Sequence, residues 1–427
     1  MDLNAFFENI SRKITPSESE KKKQELVARE VIESIQKKVK AKVLLVGSSA
    51  RDTGLKGDRD LDLFVVFNKS EKIEEIVEKT RKALPKGEWV MHYAEHPYFK
   101  SKVKGFDVEV IPCFEIIKNE KLKSAVDRTP LHMKYLQERL SEKQRRDVRV
   151  LKKMLKTAGI YGAESEVSGF SGLVCEQLIL NYRSLENLLE NAKNWSPPVV
   201  IDIEKHYQKE EAVRKFESPF ILVDAIDFNR NAGASVSETS LYKFITLSNA
   251  FLENPSLRFF FKKSEKKFKS KAKLKTITVK FKKPRVVEDI LYPQLKKTEK
   301  FLKNQLEKDF QVLDSDSFYD DENAFIVFIL NKLETENFRK LAGPPAGRWV
   351  EVKKFISKHK PFRKYVEGDR IVIFEERRVE RAIDLIKRQL RARGVGSFLR
   401  KNILNAEVTE RKGKEIEKFL SKSDFWL

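Results

Sequence analysis

The chain has 427 residues, 41% of them hydrophobic, and carries a formal net charge of +22. This length allows roughly three globular domains, and the charge predicts a polyanionic partner, with an anionic membrane surface as the alternative. No apolar run approaches the roughly 20 residues of a membrane-spanning helix, and the first residues lack the apolar core of a signal peptide. Two cysteines, Cys113 and Cys175, and five scattered histidines disfavour a zinc site and are typical of a reducing cytosol. The sequence therefore predicts a cytoplasmic protein without a membrane partner.

The first 140 residues alternate helices with short strands. Thr15 is predicted to cap a helix that begins at Pro16 and ends near Val39, because Pro suits the first helical position and Glu18 completes a capping box. Apolar runs and periodicities predict a further helix and four strands in this part: a helix near 70–84 and strands near 43–46, 61–66, 89–94 and 106–113.

From Ser141 the pattern becomes helical, and after Phe259 strands return. The expected helices are 144–157, 171–191, 237–254 and 295–310. The expected strands are 277–281, which reads as half-exposed, and two near 310–313 and 324–330. Gly343-Pro344-Pro345 predicts a loop, and residues 378–427 predict basic helices.

A polar motif lies between the first two predicted strands. Gly47-Ser48 ends the first strand, and Asp60 and Asp62 open the second after eleven intervening residues. Residues i and i+2 of a strand share a face, with Cα atoms about 6.5–7 Å apart, so both carboxylates can bind one divalent metal. Gly47 lets the backbone approach a phosphate, and Ser48 opens a helix whose positive end favours an anion. This pattern is typical of the nucleotidyltransferase superfamily and predicts metal-assisted phosphoryl transfer.

Other residues extend this motif. Asp107 and Glu109 share a face of the strand at 106–113, and either can serve as a third carboxylate that accepts the proton of the attacking hydroxyl. Arg51 lies one turn after Ser48 and is predicted to reach the same phosphates, with an ordinary surface arginine as the alternative.

Three further features have an ordinary structural alternative beside a functional one. His132 can donate to a phosphate or ribose or serve as a core histidine, and the same holds for His96. Lys152 and Tyr161 can reach a triphosphate, or be an exposed lysine and an interior tyrosine. Residues 262–283 contain eleven lysines interleaved with Phe, which favours RNA binding and a solvated charged face equally.

The chain resembles the archaeal, class I CCA-adding enzymes (tRNA nucleotidyltransferases) over nearly its whole length. The stretches that carry the resemblance are GSSARDT at 47–53, DLD at 60–62, AEHPY at 94–98, VIPC at 110–113, RTPLH at 128–132, GIYGAE at 159–164, GFSGLVCE at 169–176, DFNRNAGAS at 227–235 and LYPQLKK at 291–297. The EDxxR-type element of the bacterial and eukaryotic class does not occur in the sequence.

The resemblance implies an α+β multidomain fold with a palm-type nucleotidyltransferase head, a helical neck, an RNP-like α+β body and a helical tail. The expected boundaries are 1–140 for the head, 141–257 for the neck, 258–377 for the body and 378–427 for the tail. It implies template-independent addition and repair of the 3′-terminal CCA of tRNA from CTP and ATP, with Mg²⁺, in one active site. The implied RNA partner is the acceptor stem, T-arm and 3′ end of tRNA, and a homodimer is among the oligomeric states left open.

The resemblance also implies roles for single residues. The residues matched to nucleotide binding are Gly47, Ser48, Arg51, Thr129, His132, Lys152, Tyr161 and Arg230. Those matched to metal binding and catalysis are Asp60, Asp62 and Glu109. Asp60 stands where Glu also occurs in the family, and Glu109 stands where Asp is usual, so Asp107 remains the alternative third carboxylate.

Two other readings of the sequence stay open. One is a different member of the superfamily, of the poly(A) polymerase or oligoadenylate synthetase type. The other is a non-enzymatic tRNA-binding protein with an inactive head, which would be expected to lose Gly47, Asp60 or Asp62, and all three are present.

Overall fold

A computed structural model describes residues 2–93, 96–116, 123–261, 274–410, 414–420 and 423–427. It divides into two compact units, the first formed by Met1–Ser264 with Asp424–Leu427 and the second by Glu265–Ser423. Among the described residues, no helix is long and apolar enough to cross a membrane.

The first unit combines helices with a five-stranded sheet and a two-stranded ribbon. Its described helices are α1 (Leu3–Ile14), α2 (Glu18–Gln36), α3 (Gly47–Ala50), α4 (Ile73–Ala83), α5 (Thr129–Arg139), α6 (Glu142–Ala158), α7 (Gly172–Tyr182), α8 (Leu185–Ala192), α9 (Lys209–Phe216) and α10 (Glu238–Glu253). Its described strands are β1 (Lys42–Val46), β2 (Asp60–Phe67), β3 (Val90–Tyr93), β4 (Pro97–Val103), β5 (Phe106–Phe114), β6 (Val199–Asp202) and β7 (Phe220–Val223). The four strands predicted in the first 140 residues are confirmed, and β4 is an additional one.

The five-stranded sheet, which we call the head sheet, has the strand order β1-β2-β5-β4-β3. Leu61, Leu63 and Val108 are fully buried on one face, where they pack with apolar residues of α2. Because residues i and i+2 of a strand share a face, Asp60 and Asp62 lie on the opposite one, which we call the acidic face. The central strands β2 and β5 are parallel.

Two predicted helices differ in their limits. Ser17, not Thr15, caps α2: its backbone N–H donates to the Glu20 carboxylate at 2.8 Å, and its hydroxyl accepts from the Glu20 N–H. Thr15 instead ends α1, where its hydroxyl donates to the carbonyl of Ser11. The helix predicted at 171–191 is two helices, α7 and α8, because Arg183 adopts a left-handed φ of 70° and stops the first.

The helices α6, α7, α8 and α10 share one apolar core with α1. Fully buried Phe170, Phe220 and Phe244 lie at its centre, with ring centroids 5.0–5.5 Å apart between Phe170 and the other two. This core fixes the neck helices and the loop after β7, which carry part of the candidate site.

The second unit contains two sheets. Its described elements are β8 (Lys275–Lys282), α11 (Glu288–Leu306), β9 (Val312–Tyr319), β10 (Asn323–Leu330), β11 (Phe338–Pro345), α12 (Trp349–Lys358), β12 (Pro361–Glu367), β13 (Arg370–Glu376), α13 (Ala382–Gln389), α14 (Arg400–Ile403), β14 (Glu407–Thr409) and α15 (Lys414–Leu420). One sheet has the order β14-β8-β10-β9, and the other has the order β11-β13-β12. The predicted α+β multidomain fold is confirmed.

The C-terminal segment, predicted as a helical tail at 378–427, contains one described strand besides its helices. This strand, β14, pairs with β8, with Val408 opposite Val279, so this segment completes the sheet of the predicted body. A strand of three residues is too short for its periodicity to be recognised in the sequence.

Two further predictions in this unit need correction. The strand predicted as half-exposed at 277–281 is more buried than expected: Lys280 is exposed, but Thr276 and Thr278 on the same face are buried, where they pair with Ile329 and Val327 of a second apolar cluster. Gly343 and the two prolines that follow it lie in β11 rather than in a loop. An edge strand tolerates proline because its outer N–H groups need no partner in the sheet.

The lysine-rich stretch is described only in part, since residues 262–273 lie outside the described residues. Phe281 within this stretch and Phe260 just before it, both candidates for aromatic contacts with RNA, are buried in apolar cores. Their aromatic rings therefore serve packing.

Candidate active site

The glycine of the motif sits where a side chain has no room. Gly47 follows β1 with a φ of +75°, and a Cβ built on it would lie 2.3 Å from Oδ2 of Asp62. Both the left-handed backbone and this contact require glycine. The turn that follows is closed by the Thr53 N–H, which donates to the Ser48 carbonyl at 3.0 Å. The turn and the acidic pair predicted from the sequence are therefore in direct contact.

Four carboxylates lie on the acidic face, in two pairs across the parallel strands. Asp60 is opposite Asp107, and Asp62 is opposite Glu109. Within the described residues, the cation bonded to this group is Lys100 of β4, whose Nζ lies 2.9 Å from Oε1 of Glu109.

The electrostatics of this face favour a bound cation. Burial, then Glu109 and Asp60, raise the pKa of Asp62 to about 6. Burial, then Asp58 and Asp107, raise the pKa of Asp60 above its ordinary value. Negative charge is thus crowded here beyond what Lys100 offsets.

The donor set fits magnesium bound together with a substrate. Among the described residues, no group of three or more His, Cys, Asp or Glu side chains is arranged to hold a metal ion by itself. Mg²⁺ is usually held by one or two carboxylates together with substrate phosphates rather than by a complete protein cage. Asp60 and Asp62, beside a turn suited to phosphate, match that arrangement.

A second part of the site is a buried charge cluster around Glu176 of α7, which is fully buried. Its Oε2 accepts hydrogen bonds from Arg51, with Nε at 3.0 Å and Nη2 at 2.8 Å. Its Oε1 accepts from the Thr53 hydroxyl at 2.5 Å and lies 3.7 Å from Nζ of Lys152. We call Arg51, Thr53, Lys152 and Glu176 the Glu176 cluster.

The Glu176 cluster holds two of the predicted nucleotide-binding cations. Both are buried, so the alternatives of a surface arginine and an exposed lysine were wrong. Burial raises the pKa of Glu176, but Arg51 and Lys152 outweigh it and bring this pKa below its ordinary value. Burial lowers the pKa of Lys152. Arg51 also acts on the acidic face, where its charge opposes the rise in the pKa of Asp62.

Tyr161 and Lys152 converge at the start of α7. A Cβ built on Gly172 would lie 3.3 Å from the Tyr161 hydroxyl and 3.6 Å from Nζ of Lys152. Burial raises the pKa of Tyr161, so its hydroxyl remains a neutral donor at physiological pH. Tyr161, from the sequence stretch 159–164, therefore lies beside Lys152 of the Glu176 cluster at the start of α7.

A third part of the site joins α5 to the loop after β7. Nε2 of His132 lies 2.6 Å from Oδ1 of Asp224, and Nη1 of Arg230 donates to Oδ2 of the same residue at 2.7 Å. Thr129 begins α5, one turn before His132. His96 lies elsewhere, with Nδ1 2.7 Å from the Ser124 hydroxyl.

Two buried carboxylates that bond predicted site residues, those of Glu176 and Asp224, were not predicted from the sequence. Glu176 ends the stretch at 169–176, but a glutamate in an apolar helix gives no sign of its partners in the sequence. Asp224 lies just before the stretch at 227–235 and follows a fully buried strand. A charge directly after a buried strand was the available signal for Asp224.

Comparison with protein families agrees with this geometry. Residues 28–132 match the family model "Nucleotidyltransferase domain", and residues 146–261 match "tRNA nucleotidyltransferase, second domain". Fold and site thus define a nucleotidyltransferase. Residues 274–425 match "CCA-adding enzyme, C-terminal domain".

Curated relatives resolve the family further. The CCA-adding enzyme of Methanocaldococcus jannaschii is 36% identical over 91% of this chain and 90% of its own length. Those of Archaeoglobus fulgidus, at 36% identity over 88% and 87%, and Pyrobaculum islandicum, at 35% over 88% and 91%, are similar. The chain belongs to the CCA-adding enzyme family.

A solved structure shares the fold of part of the chain. The RNA terminal uridylyl transferase Cid1 superposes with a TM-score of 0.51 at 14% identity, covering 60% of this chain and 95% of that chain. At this identity the likeness concerns the fold.

Proposed function

We propose that the protein adds the 3′-terminal C, C and A to tRNA from CTP and ATP, without a nucleic-acid template, and repairs ends that have lost them. The observation that carries this is the contact between the Gly47 turn and Asp62 on the acidic face, in a chain that belongs to the CCA-adding enzyme family. The tRNA acceptor stem and T-arm are the RNA partner, the cytoplasm is the compartment, and the net charge of +22 supports the polyanionic partner.

The reaction joins the 3′-hydroxyl of tRNA to the α-phosphorus of the nucleotide and breaks the bond to the β-phosphate, so that pyrophosphate leaves. Asp60 and Asp62 would hold Mg²⁺, which supplies charge neutralisation at the phosphates when bound. Glu109 accepts the proton of the attacking hydroxyl or completes the metal ligands. Its position opposite Asp62 rather than Asp60 supports Glu109 over Asp107 as the third carboxylate.

The remaining predicted residues bind the nucleotide. Ser48 and Arg51 at the Gly47 turn, with Lys152 and Tyr161 beside them, contact the triphosphate. Thr129 and His132 on α5 contact phosphate or ribose, and Arg230 takes part in recognising the base with the growing tRNA end. The carboxylates of Glu176 and Asp224 support this assignment, since they hold three of these side chains in place.

The test is extension of a tRNA that lacks its CCA end, with Mg²⁺ and labelled CTP, ATP, GTP or UTP in turn, read on a sequencing gel. We expect two C and one A to be added, and then no further nucleotide. Long runs of a single nucleotide would instead favour a poly(A) polymerase type of activity. Binding of tRNA without any extension would favour the non-enzymatic alternative.

One active site implies that both nucleotides share their triphosphate contacts. Ser48→Ala should therefore reduce addition of C and of A together. A Ser48→Ala variant that loses only one of the two activities would indicate a second site.

A further inference from the structure

Asp224 contacts no substrate in the function proposed above, yet it bonds two residues that do. It follows β7 directly and is fully buried. Each of its oxygens serves a different partner, Oδ1 with His132 of α5 and Oδ2 with Arg230 of its own loop, at 2.6 and 2.7 Å. One carboxylate therefore connects a side chain assigned to phosphate or ribose with one assigned to the base.

The carboxylate itself is held by the backbone. Its Oδ1 also accepts from the N–H of Ile226 at 2.9 Å and of Asp227 at 3.3 Å, and its own N–H donates to the Arg230 carbonyl at 3.0 Å. Burial raises the pKa of Asp224, but His132, the Ile226 N–H and Arg230 together lower it below its ordinary value. Asp224 is therefore an ionised, fixed acceptor at neutral pH.

An ionised acceptor determines how His132 can act. A carboxylate can only accept, so Nε2 of His132 must carry the proton in the 2.6 Å contact. Nδ1 of the same ring can then donate to a phosphate only if the ring is doubly protonated.

Arg230 is constrained in the same way. Its Nη1 is fixed by Asp224, while its side chain remains about one-third exposed. An arginine held at one end presents its remaining donors in a fixed plane, which suits the recognition of a base edge.

We propose that Asp224 is a positioning residue that orients His132 and Arg230 together, so that nucleotide affinity and base selectivity depend on one buried carboxylate. This inference rests on the function proposed above, because it requires both side chains to contact the nucleotide. It differs from a purely structural role for Asp224, in which the residue would merely tie α5 to the loop after β7.

The experiment compares Asp224→Asn with Asp227→Asn in the full-length protein. Asp227 is the matched control, since it lies in the same loop and forms an ion pair with Arg128 at 3.5 Å. The measurements are kcat and KM for CTP and ATP on tRNA ends awaiting C or A, misincorporation of UTP and GTP, and the melting temperature.

For Asp224→Asn we expect KM for both nucleotides to rise roughly tenfold or more, as for a lost hydrogen bond to a charged group, with a smaller change in kcat. The preference for CTP and ATP over UTP and GTP should fall as well. Asp227→Asn should keep the wild-type KM and selectivity. In the double variant Asp224→Asn with His132→Gln, the KM effects should be clearly less than multiplicative, because both substitutions remove the same contact.

Three outcomes would overturn the inference. One is an Asp224→Asn variant whose KM and selectivity match those of Asp227→Asn. Another is a lower melting temperature and kcat with unchanged KM and selectivity, which is the signature of a structural tie. The third outcome applies if Asp224→Asn does not fold. Asp224→Glu then replaces it, because this variant keeps the charge but moves it by one methylene. Wild-type KM and selectivity in Asp224→Glu would overturn the inference. Failure of the wild-type protein to extend tRNA would instead refute the proposed function.

Discussion

The acidic face and the Glu176 cluster arrange charge in opposite ways. On the acidic face, four carboxylates lie together, and within the described part of the chain the cation bonded to them is Lys100, which contacts Glu109. In the Glu176 cluster, one carboxylate is shared by Arg51, Lys152 and the Thr53 hydroxyl. The pKa of Asp62 is accordingly raised and that of Glu176 lowered. The excess negative charge of the acidic face favours binding of a cation. The Glu176 cluster has more positive than negative groups, which suits a triphosphate.

The largest expected effect is on the chemistry of the acidic face. Asp62→Asn should reduce addition of both C and A by roughly 10³-fold or more, because loss of a metal ligand removes several kcal/mol of transition-state stabilisation. Affinity for tRNA should persist, since it arises from Lys and Arg. Single-turnover extension and a filter-binding titration measure the two quantities, with exposed Asp321→Asn as the control. Near-normal extension by Asp62→Asn would remove Asp62 from the metal site.

The next largest effect is on stability at the Glu176 cluster. Glu176→Gln should lower the free energy of unfolding by about 3–5 kcal/mol, because it leaves two buried cations without their partner. The pKa of Glu176 is lowered in the fold, so its contribution is present above the ordinary carboxyl value of 4.5 and is lost as pH falls below it. The difference between wild type and variant should therefore shrink in acid. Urea unfolding at pH 7 and at pH 4 tests both statements, and a constant difference would contradict them.

The contrast also explains which parts of the site the sequence could predict. Asp60 and Asp62 lie two residues apart on one strand, so strand geometry alone places both carboxylates on the same face. Gly47 and Ser48, at a short spacing before them, complete a motif that can be recognised in the sequence. Glu176 is far along the chain from Arg51 and Thr53, and nothing local in α7 distinguishes it from any other helical glutamate. Asp224 and His132 are likewise joined only by tertiary packing, so their contact required the fold.

The same distinction holds for the fold. The strand at 43–46 was predictable because it is an apolar run that ends in Gly47-Ser48, and the strand at 106–113 because Asp107 and Glu109 alternate with apolar residues. The strand β14 and the placement of Gly343 in β11 were not, since both depend on a neighbouring strand that pairs with them. Thr276 and Thr278 looked exposed by alternation, and only the packing of a second apolar cluster buries them.

The choice between Glu109 and Asp107 sharpens the description of the acidic face. If Glu109 accepts the proton or completes the metal site, Glu109→Gln should slow addition of C and A by roughly 10²-fold or more, whereas Asp107→Asn should change it less than about tenfold. Lys100→Met is a useful companion, because it removes the cation that Glu109 binds without touching a carboxylate. The rates come from single-turnover extension at saturating CTP or ATP. The reverse order, with Asp107→Asn inactive and Glu109→Gln near normal, would move the third carboxylate to Asp107.

The smallest expected effect is on the free energy of unfolding, and it has the opposite sign from the effect of Glu176→Gln. Crowded charge on the acidic face disfavours the metal-free fold, so Asp62→Asn should raise its free energy of unfolding, by on the order of 1–3 kcal/mol at pH 7. Adding Mg²⁺ with a nucleotide should stabilise the wild-type protein by binding only the folded state, and should stabilise Asp62→Asn much less. Thermal unfolding with EDTA, and then with Mg²⁺ and CTP, measures both changes, while Asp321→Asn should follow the wild type in each condition. If Asp62→Asn instead destabilised the metal-free protein as Glu176→Gln does, the carboxylates of the acidic face would be structural charges like that of Glu176. The acidic face and the Glu176 cluster would then not differ in how their charges affect stability.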